Sequence, residues 1–157
     1  MIQRIQSIYL AIAIICMGII SSGLTMLRFE DKGFYALFSV YGKVIYTHQE
    51  KINSIRSFPL YIASIAIVLL LAYTLFSFKN LKLQLQLSRI SMLLYLLFVL
   101  YICIVPFIDA EINKGVPVDF SMSIGFYVAV LGFPFAFLAQ SAIKRDKKLL
   151  DSLNRLR

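Results

Sequence analysis

Residues 120–143, FSMSIGFYVAVLGFPFAFLAQSAI, carry no charged side chain, whereas residues 144–157, KRDKKLLDSLNRLR, carry six Lys or Arg and two Asp. A long apolar run that stops against dense positive charge is the pattern of a membrane span halted at a watery face. Crossing about 30 Å of hydrocarbon takes about 20 mostly apolar residues. Three more stretches meet that length: Ser7–Leu27, Phe58–Phe78 and Ile90–Ile108. With Phe120–Ile143 they make four expected spans.

Composition agrees. Of 157 residues, 60% are hydrophobic and 15% charged, with a mean hydropathy of +0.81. Soluble domains hold about 45–50% apolar and about 25% charged residues. The length permits one compact domain over residues 1–157. The first span is expected to stay on the protein: no small-x-small site closes a short apolar region after Arg4, and bulky Ile14 and Ile15 precede Cys16.

Positive charge orients the chain. With the N-terminus in the cytoplasm, ten Lys or Arg fall inside: Arg4, Lys79, Lys82, Arg89, Lys144, Arg145, Lys147, Lys148, Arg155 and Arg157. Six fall outside: Arg28, Lys32, Lys43, Lys51, Arg56 and Lys114. Of the acidic residues, Asp146 and Asp151 alone are inside, so the net +8 belongs to that face. The excess predicts both termini in the cytoplasm.

Outside the spans, FYALFSVYGKVIYT (residues 34–47) has two β-prone runs broken at Tyr41-Gly42, which predicts a hairpin between spans one and two. A lone hairpin is marginal in water, so it should rest on the helix ends or on a partner. The segment KNLKLQLQLSR (residues 79–89) alternates like a strand, but Leu, Lys, Gln and Arg are good helix formers and no mate is at hand; helix is the preferred reading. Wound as a helix, the tail puts Ala142, Leu149, Leu150, Leu153 and Leu156 on one stripe and Lys144, Lys147, Lys148 and Arg155 opposite. Such a helix suits anionic headgroups of the inner leaflet. Asp146 falls inside the apolar stripe and favours an acidic groove on a partner instead. The expected fold is thus an all-α membrane protein: a four-helix transmembrane bundle, with the hairpin outside and a basic amphipathic C-terminal helix inside.

Little here suggests chemistry. The four spans contain no Asp, Glu, Lys, Arg or His, and intramembrane ionisable groups are the usual mark of ion pathways and proton relays. A lone His48 cannot make a zinc site. Cys16 and Cys103 stand in apolar runs without metal or redox spacing. No cofactor, metal or nucleic acid is expected, and Asp109, Glu111 and Asp119 read as solvated loop carboxylates. Gly132-Phe133-Pro134 and Pro106 should bend their helices. Gly18, Ser22 and Gly23 should give span one a close-packing face.

The two ends of the chain carry a resemblance. The opening MIQRIQSIYL and the ending AIKRDKKLLDSLNRLR are similar to those of an uncharacterised family of small four-span inner-membrane proteins of Gram-negative bacteria. The tail agrees at Lys144, Arg145, Asp146, Lys148, Leu149, Ser152, Arg155, Leu156 and Arg157; Lys147 stands where the family has an acidic residue. The resemblance implies four helices in the inner membrane and brings no activity. Defined Gln positions exceed what a topogenic signal needs. Gln3, Arg4, Gln6, Lys144, Arg145, Asp146, Lys147, Lys148, Arg155 and Arg157 are therefore the candidate cytoplasmic contact surface for lipid or for other membrane subunits. The expected function is a non-catalytic accessory or scaffolding subunit; the alternative is a small oligomeric transporter, channel or lipid-handling protein.

Overall fold

The computed structural model describes residues 3–31, 34–47, 50–55, 60–112 and 119–155. Four helices are present: α1 (Gln3–Ser21), α2 (Leu60–Phe76), α3 (Leu81–Ile112) and α4 (Ile124–Arg155). Each packs against two others, in the cyclic order α1–α2–α3–α4. Five strands accompany them: β1 (Leu27–Asp31), β2 (Phe34–Ser39), β3 (Gly42–Thr47), β4 (Glu50–Ile55) and β5 (Asp119–Met122).

One spacing explains how the helices meet. Their buried positions recur at alternating steps of three and four: Gln6, Leu10, Ala13, Met17 and Ile20 on α1, and Leu60, Ser64, Ile67, Leu71 and Thr74 on α2. On α3 they are Gln84, Ser88, Ser91, Tyr95, Phe98, Ile102 and Val105; on α4, Ala129, Gly132, Ala136, Ala139, Ile143 and Asp146. That is the seam of coiled-coil-like packing, in which 3.5-residue periodicity keeps one stripe against its neighbours. From Ala129 to Ala139 the α4 stripe is made of small residues, and backbones can approach closely there. A Cβ on Gly132 would overlap the Tyr95 hydroxyl and come within 2.8 Å of the Cys16 Cβ.

Hairpin geometry is as expected at Tyr41-Gly42: β2 and β3 pair from Phe34↔Thr47 to Ser39↔Gly42, and Gly42 takes a φ of 128°. The hairpin is not alone, however. It is the middle of a five-stranded antiparallel sheet ordered β4-β3-β2-β1-β5, so the all-α expectation is corrected. Leu27, Phe29, Ala36, Phe38 and Val40 alternate onto its buried face and join the core of the helices. On the other face the Arg28–Glu30 ion pair (2.6 Å) neighbours a stacked Tyr35–Tyr46 pair. The sheet is tied to the helices through backbone atoms and one side chain. Ser123 N–H donates to Met26 O at 2.9 Å, Gly125 N–H to Thr25 O at 3.0 Å, and the Tyr41 hydroxyl to Ser21 O at 3.0 Å.

Several expected boundaries move, each for a local reason. Span one was expected to reach Leu27, but α1 stops at Ser21. The hydroxyls of Ser21 and Ser22 bond back to Met17 O and Ile19 O, and Gly23 turns the chain at φ 95°. Leu27 then starts β1. Span four was expected from Phe120, but residues 119–122 satisfy the free edge of β1, and α4 begins at Ile124. Segment 81–89 is helical, as preferred, and simply extends α3 toward its start. The tail is likewise the continuation of α4 and no separate helix. Of its expected stripe, Leu149 and Leu150 are exposed and Ala142 is buried; Asp146, expected within that stripe, is buried as well, because the seam with the neighbouring helices continues through it. Gly18 faces open space and Gly23 lies in the turn, so span one has no glycine packing face; the small residues that matter are on α4. α3 continues past Pro106, and α4 past Pro134.

Among the described residues, two stretches are long and apolar enough to cross a membrane, Leu81–Val105 in α3 and Ile124–Ser152 in α4; Ile5–Ser21 in α1 and Leu60–Phe76 in α2 are shorter apolar helices. The structure thus establishes four helices and a small antiparallel sheet.

The two glycines give a paired test by thermal unfolding in detergent. Gly132→Ala should lose about 1–3 kcal/mol through overpacking. Gly18→Ala should leave stability unchanged or raise it by about 0.5–1 kcal/mol, since a helix interior favours Ala and nothing lies in its way.

Candidate functional site

Helix order decides which candidate residues meet. The end of α1 lies beside the start of α4 through the Gly125–Thr25 bond, Cys16 lies against Gly132, and the Tyr9 and Phe135 rings are 6.4 Å apart. The two helices are therefore antiparallel, and the start of α1 shares one end of the molecule with the tail of α4. The turn joining α2 to α3 lies against that tail as well, since residues from both line one groove. The molecule has a sheet end and, opposite it, a basic end.

Sequence reasoning singled out ten residues for the basic end. Gln3 and Arg4 form the first turn of α1, Arg155 closes α4, and Arg157 lies outside the described residues. Lys144, Arg145 and Lys148 are exposed and Lys147 is half-buried, so four cations of the tail present a basic surface. Gln6 and Asp146 behave differently. Gln6 is 2% exposed with its Nε2 unpartnered among the described residues; Asp146 is 7% exposed, and among the same residues neither carboxylate oxygen has a hydrogen-bond donor. Burying a carboxylate without partners is costly, and such groups normally pair. Arg145 lies within electrostatic reach of it but supplies no hydrogen bond.

More unpaired polar atoms follow along the same seam. Gln84 donates through Nε2 to Thr74 O at 3.3 Å, while its Oε1 has no partner. Deeper in, the fully buried Tyr95 has an unpartnered hydroxyl, with the Phe133 ring packed edge-on at 6.3 Å. The hydroxyls of Ser91 and Thr74, by contrast, bond back to carbonyls of their own helices, Leu87 O and Leu70 O. The half of the core nearest the basic end is thus the polar half.

The groove is the part that the sequence reading missed. It is open, has a volume of about 430 Å³, and brings Lys79, Asn80 and Lys82 from the α2–α3 turn to Lys147, Leu150 and Asp151 on α4. The signal was available: short connections between antiparallel helices put the charged turn beside the charged tail. What the arrangement can do is bind. Three ammonium groups in one recess, with one carboxylate among them, attract an anion. Among the described residues, no three His, Cys, Asp or Glu side chains gather where a metal could be held; His48 lies outside those residues.

Fold and site define a class: a small helical protein with a sheet cap at one end, a basic surface at the other, and apolar residues exposed along its helices. A family described as a domain of unknown function (DUF4293) matches residues 2–156, and the chain belongs to it. No curated protein matches the chain.

Two substitutions test the unpaired groups by thermal unfolding. Tyr95→Phe should be neutral or stabilising, because it removes a hydroxyl that makes no bond, and Asp146→Leu should gain about 1–3 kcal/mol. A clear loss in Asp146→Leu would mean that the carboxylate is paired after all.

Proposed function

We propose that this chain is a four-span protein of the bacterial inner membrane, with both termini in the cytoplasm, that acts without catalysis as an accessory or scaffolding subunit of a larger membrane assembly. The observation that carries the reading is that the helices are apolar on their outer faces as well as in their core. Large apolar side chains point outward from all four helices: Ile15 is 60% exposed on α1, Leu69 64% on α2, Leu97 61% on α3 and Leu131 57% on α4. Polar Gln6, Ser64, Thr74, Gln84, Ser88 and Ser91 point inward. Water would penalise that outer surface heavily; hydrocarbon would not.

The lengths of α1 and α2 are compatible with this. At about 1.5 Å per residue, their 19 and 17 residues reach about 28 Å and about 25 Å. A bilayer adapts to short spans by local thinning, at a cost of fractions of a kcal/mol per Å. The ten-to-six bias of Lys and Arg supports placing the basic end in the cytoplasm.

For the subunit role, the support is the chemistry of the basic end and the lack of ionisable residues along the expected spans. Buried, unsatisfied Asp146 and Gln6 beside exposed Lys144, Arg145 and Lys148 suit a partner that completes the site. Purification of the tagged full-length protein in mild detergent, with sizing and mass spectrometry, should recover other membrane proteins in fixed ratio. Replacing Lys144, Arg145, Lys147 and Lys148 with Gln should reduce that recovery, while Cys16→Ala and Cys103→Ala should not. A protein that runs alone, or only with itself, overturns the subunit role.

One observation favours a second reading, a small transporter or channel: the unpaired polar atoms of Gln84 and Tyr95 lie in the core between the helices. Ion or solute flux by the purified protein in liposomes would favour it over the first.

A further inference from the structure

We infer that the groove between the α2–α3 turn and the α4 tail seats the phosphate of an anionic phospholipid headgroup. This rests on the membrane reading above and names a partner for the basic end.

Charge is the first reason. Lys79 and Lys82 come from one segment and half-buried Lys147 from another, and the fold brings all three to one recess that holds a single carboxylate, Asp151. None of the three makes an ion pair among the described residues.

The second reason is the start of α3. Asn80 O accepts from Gln84 N–H at 2.9 Å, which closes the first helical turn and leaves the amides of residues 81–83 without helical acceptors. A helix start carries about half a unit of positive charge and favours acidic neighbours. Here the first turn has no acidic residue; Lys82 lies within it and Lys79 just before it. Positive charge is thus placed on positive charge, an arrangement that an anion in the groove relieves.

The third reason selects a lipid over a free anion. Phe78, Leu83 and Leu150 are exposed in and beside the groove. Headgroup phosphate among the lysines would lay acyl chains along that apolar border, a fit that inorganic phosphate cannot use.

The test uses full-length protein in vesicle-derived nanodiscs containing equal phosphatidylglycerol and phosphatidylcholine, with retained lipid counted by native mass spectrometry after gentle release. Wild type should retain phosphatidylglycerol over phosphatidylcholine by about tenfold, given the attraction of each cation for anionic lipid. The variant Lys79→Gln, Lys82→Gln, Lys147→Gln should lose most of that preference. A matched variant, Lys144→Gln, Arg145→Gln, Lys148→Gln, removes the same charge outside the groove and should lose only the minor part of the preference that general surface attraction supplies. Equal loss in both variants, or no preference in wild type, overturns the proposal. Displacement of the lipid by millimolar inorganic phosphate would also overturn it, assigning the groove to a free anion. Alkaline extraction of native membranes reads the underlying assumption separately. Protein that washes off refutes the membrane reading; protein that stays but shows no preference refutes the groove alone.

Discussion

Everything in this structure follows from which side of each helix faces its neighbours. Four helices present stripes spaced by three and four residues, which bury Leu10, Met17, Leu71, Tyr95 and Ile102 together with polar Gln6, Ser64 and Ser91, while further large apolar side chains point away from the neighbours. In water those outer apolar faces would be costly to expose. In lipid the driving force is different: hydrocarbon tails are as apolar as Leu, so helices associate through close packing and interhelical polar contacts. Gly132 with Ala129, Ala136 and Ala139 on α4 lets backbones approach, and Tyr95 fills the space that Gly132 leaves.

The sheet closes one end of this arrangement. Its strands come from two connections far apart in sequence, and β1–β5 pairing joins them. Backbone bonds from Ser123 and Gly125 to Met26 and Thr25 then fix the start of α4 against the end of α1. The Tyr41 ring extends the tie, bonding to Ser21 O and stacking 6.0 Å from Tyr61 at the start of α2. Edge-strand hydrogen bonding, a liability in most sheets, is used here to hold helices in register.

Legibility in the sequence was uneven for physical reasons. The four apolar runs and the Tyr41-Gly42 hairpin are local signals and could be read directly. Strands β1 and β5 could not: Leu27 and Phe120–Met122 sit at the edges of apolar runs, where hydropathy cannot tell a strand from a span, and their pairing is non-local. The tail showed the same limit. A helical wheel groups Asp146 with Ala142, Leu149 and Leu150, but which of these are buried is set by the neighbouring helices, and the seam takes Ala142 and Asp146 and leaves the two leucines exposed. Of the candidate site, the terminal cations were legible from charge alone. The joining of Lys79 and Lys82 with Lys147 needed the helix order, and the orphaned Gln6, Gln84 and Tyr95 groups needed the packed core.

The central claim is that all four helices, the two short ones included, meet lipid with their outer faces. Spin labels placed singly at Ile15, Leu69, Leu97 and Leu131 in a cysteine-free background, in nanodiscs, measure it through accessibility to oxygen and to a water-soluble nickel chelate. High oxygen and low nickel accessibility at all four positions is the predicted result. Nickel access at positions 15 and 69 comparable to that of a label on exposed Lys148 would contradict it, leaving α3 and α4 as the only crossings.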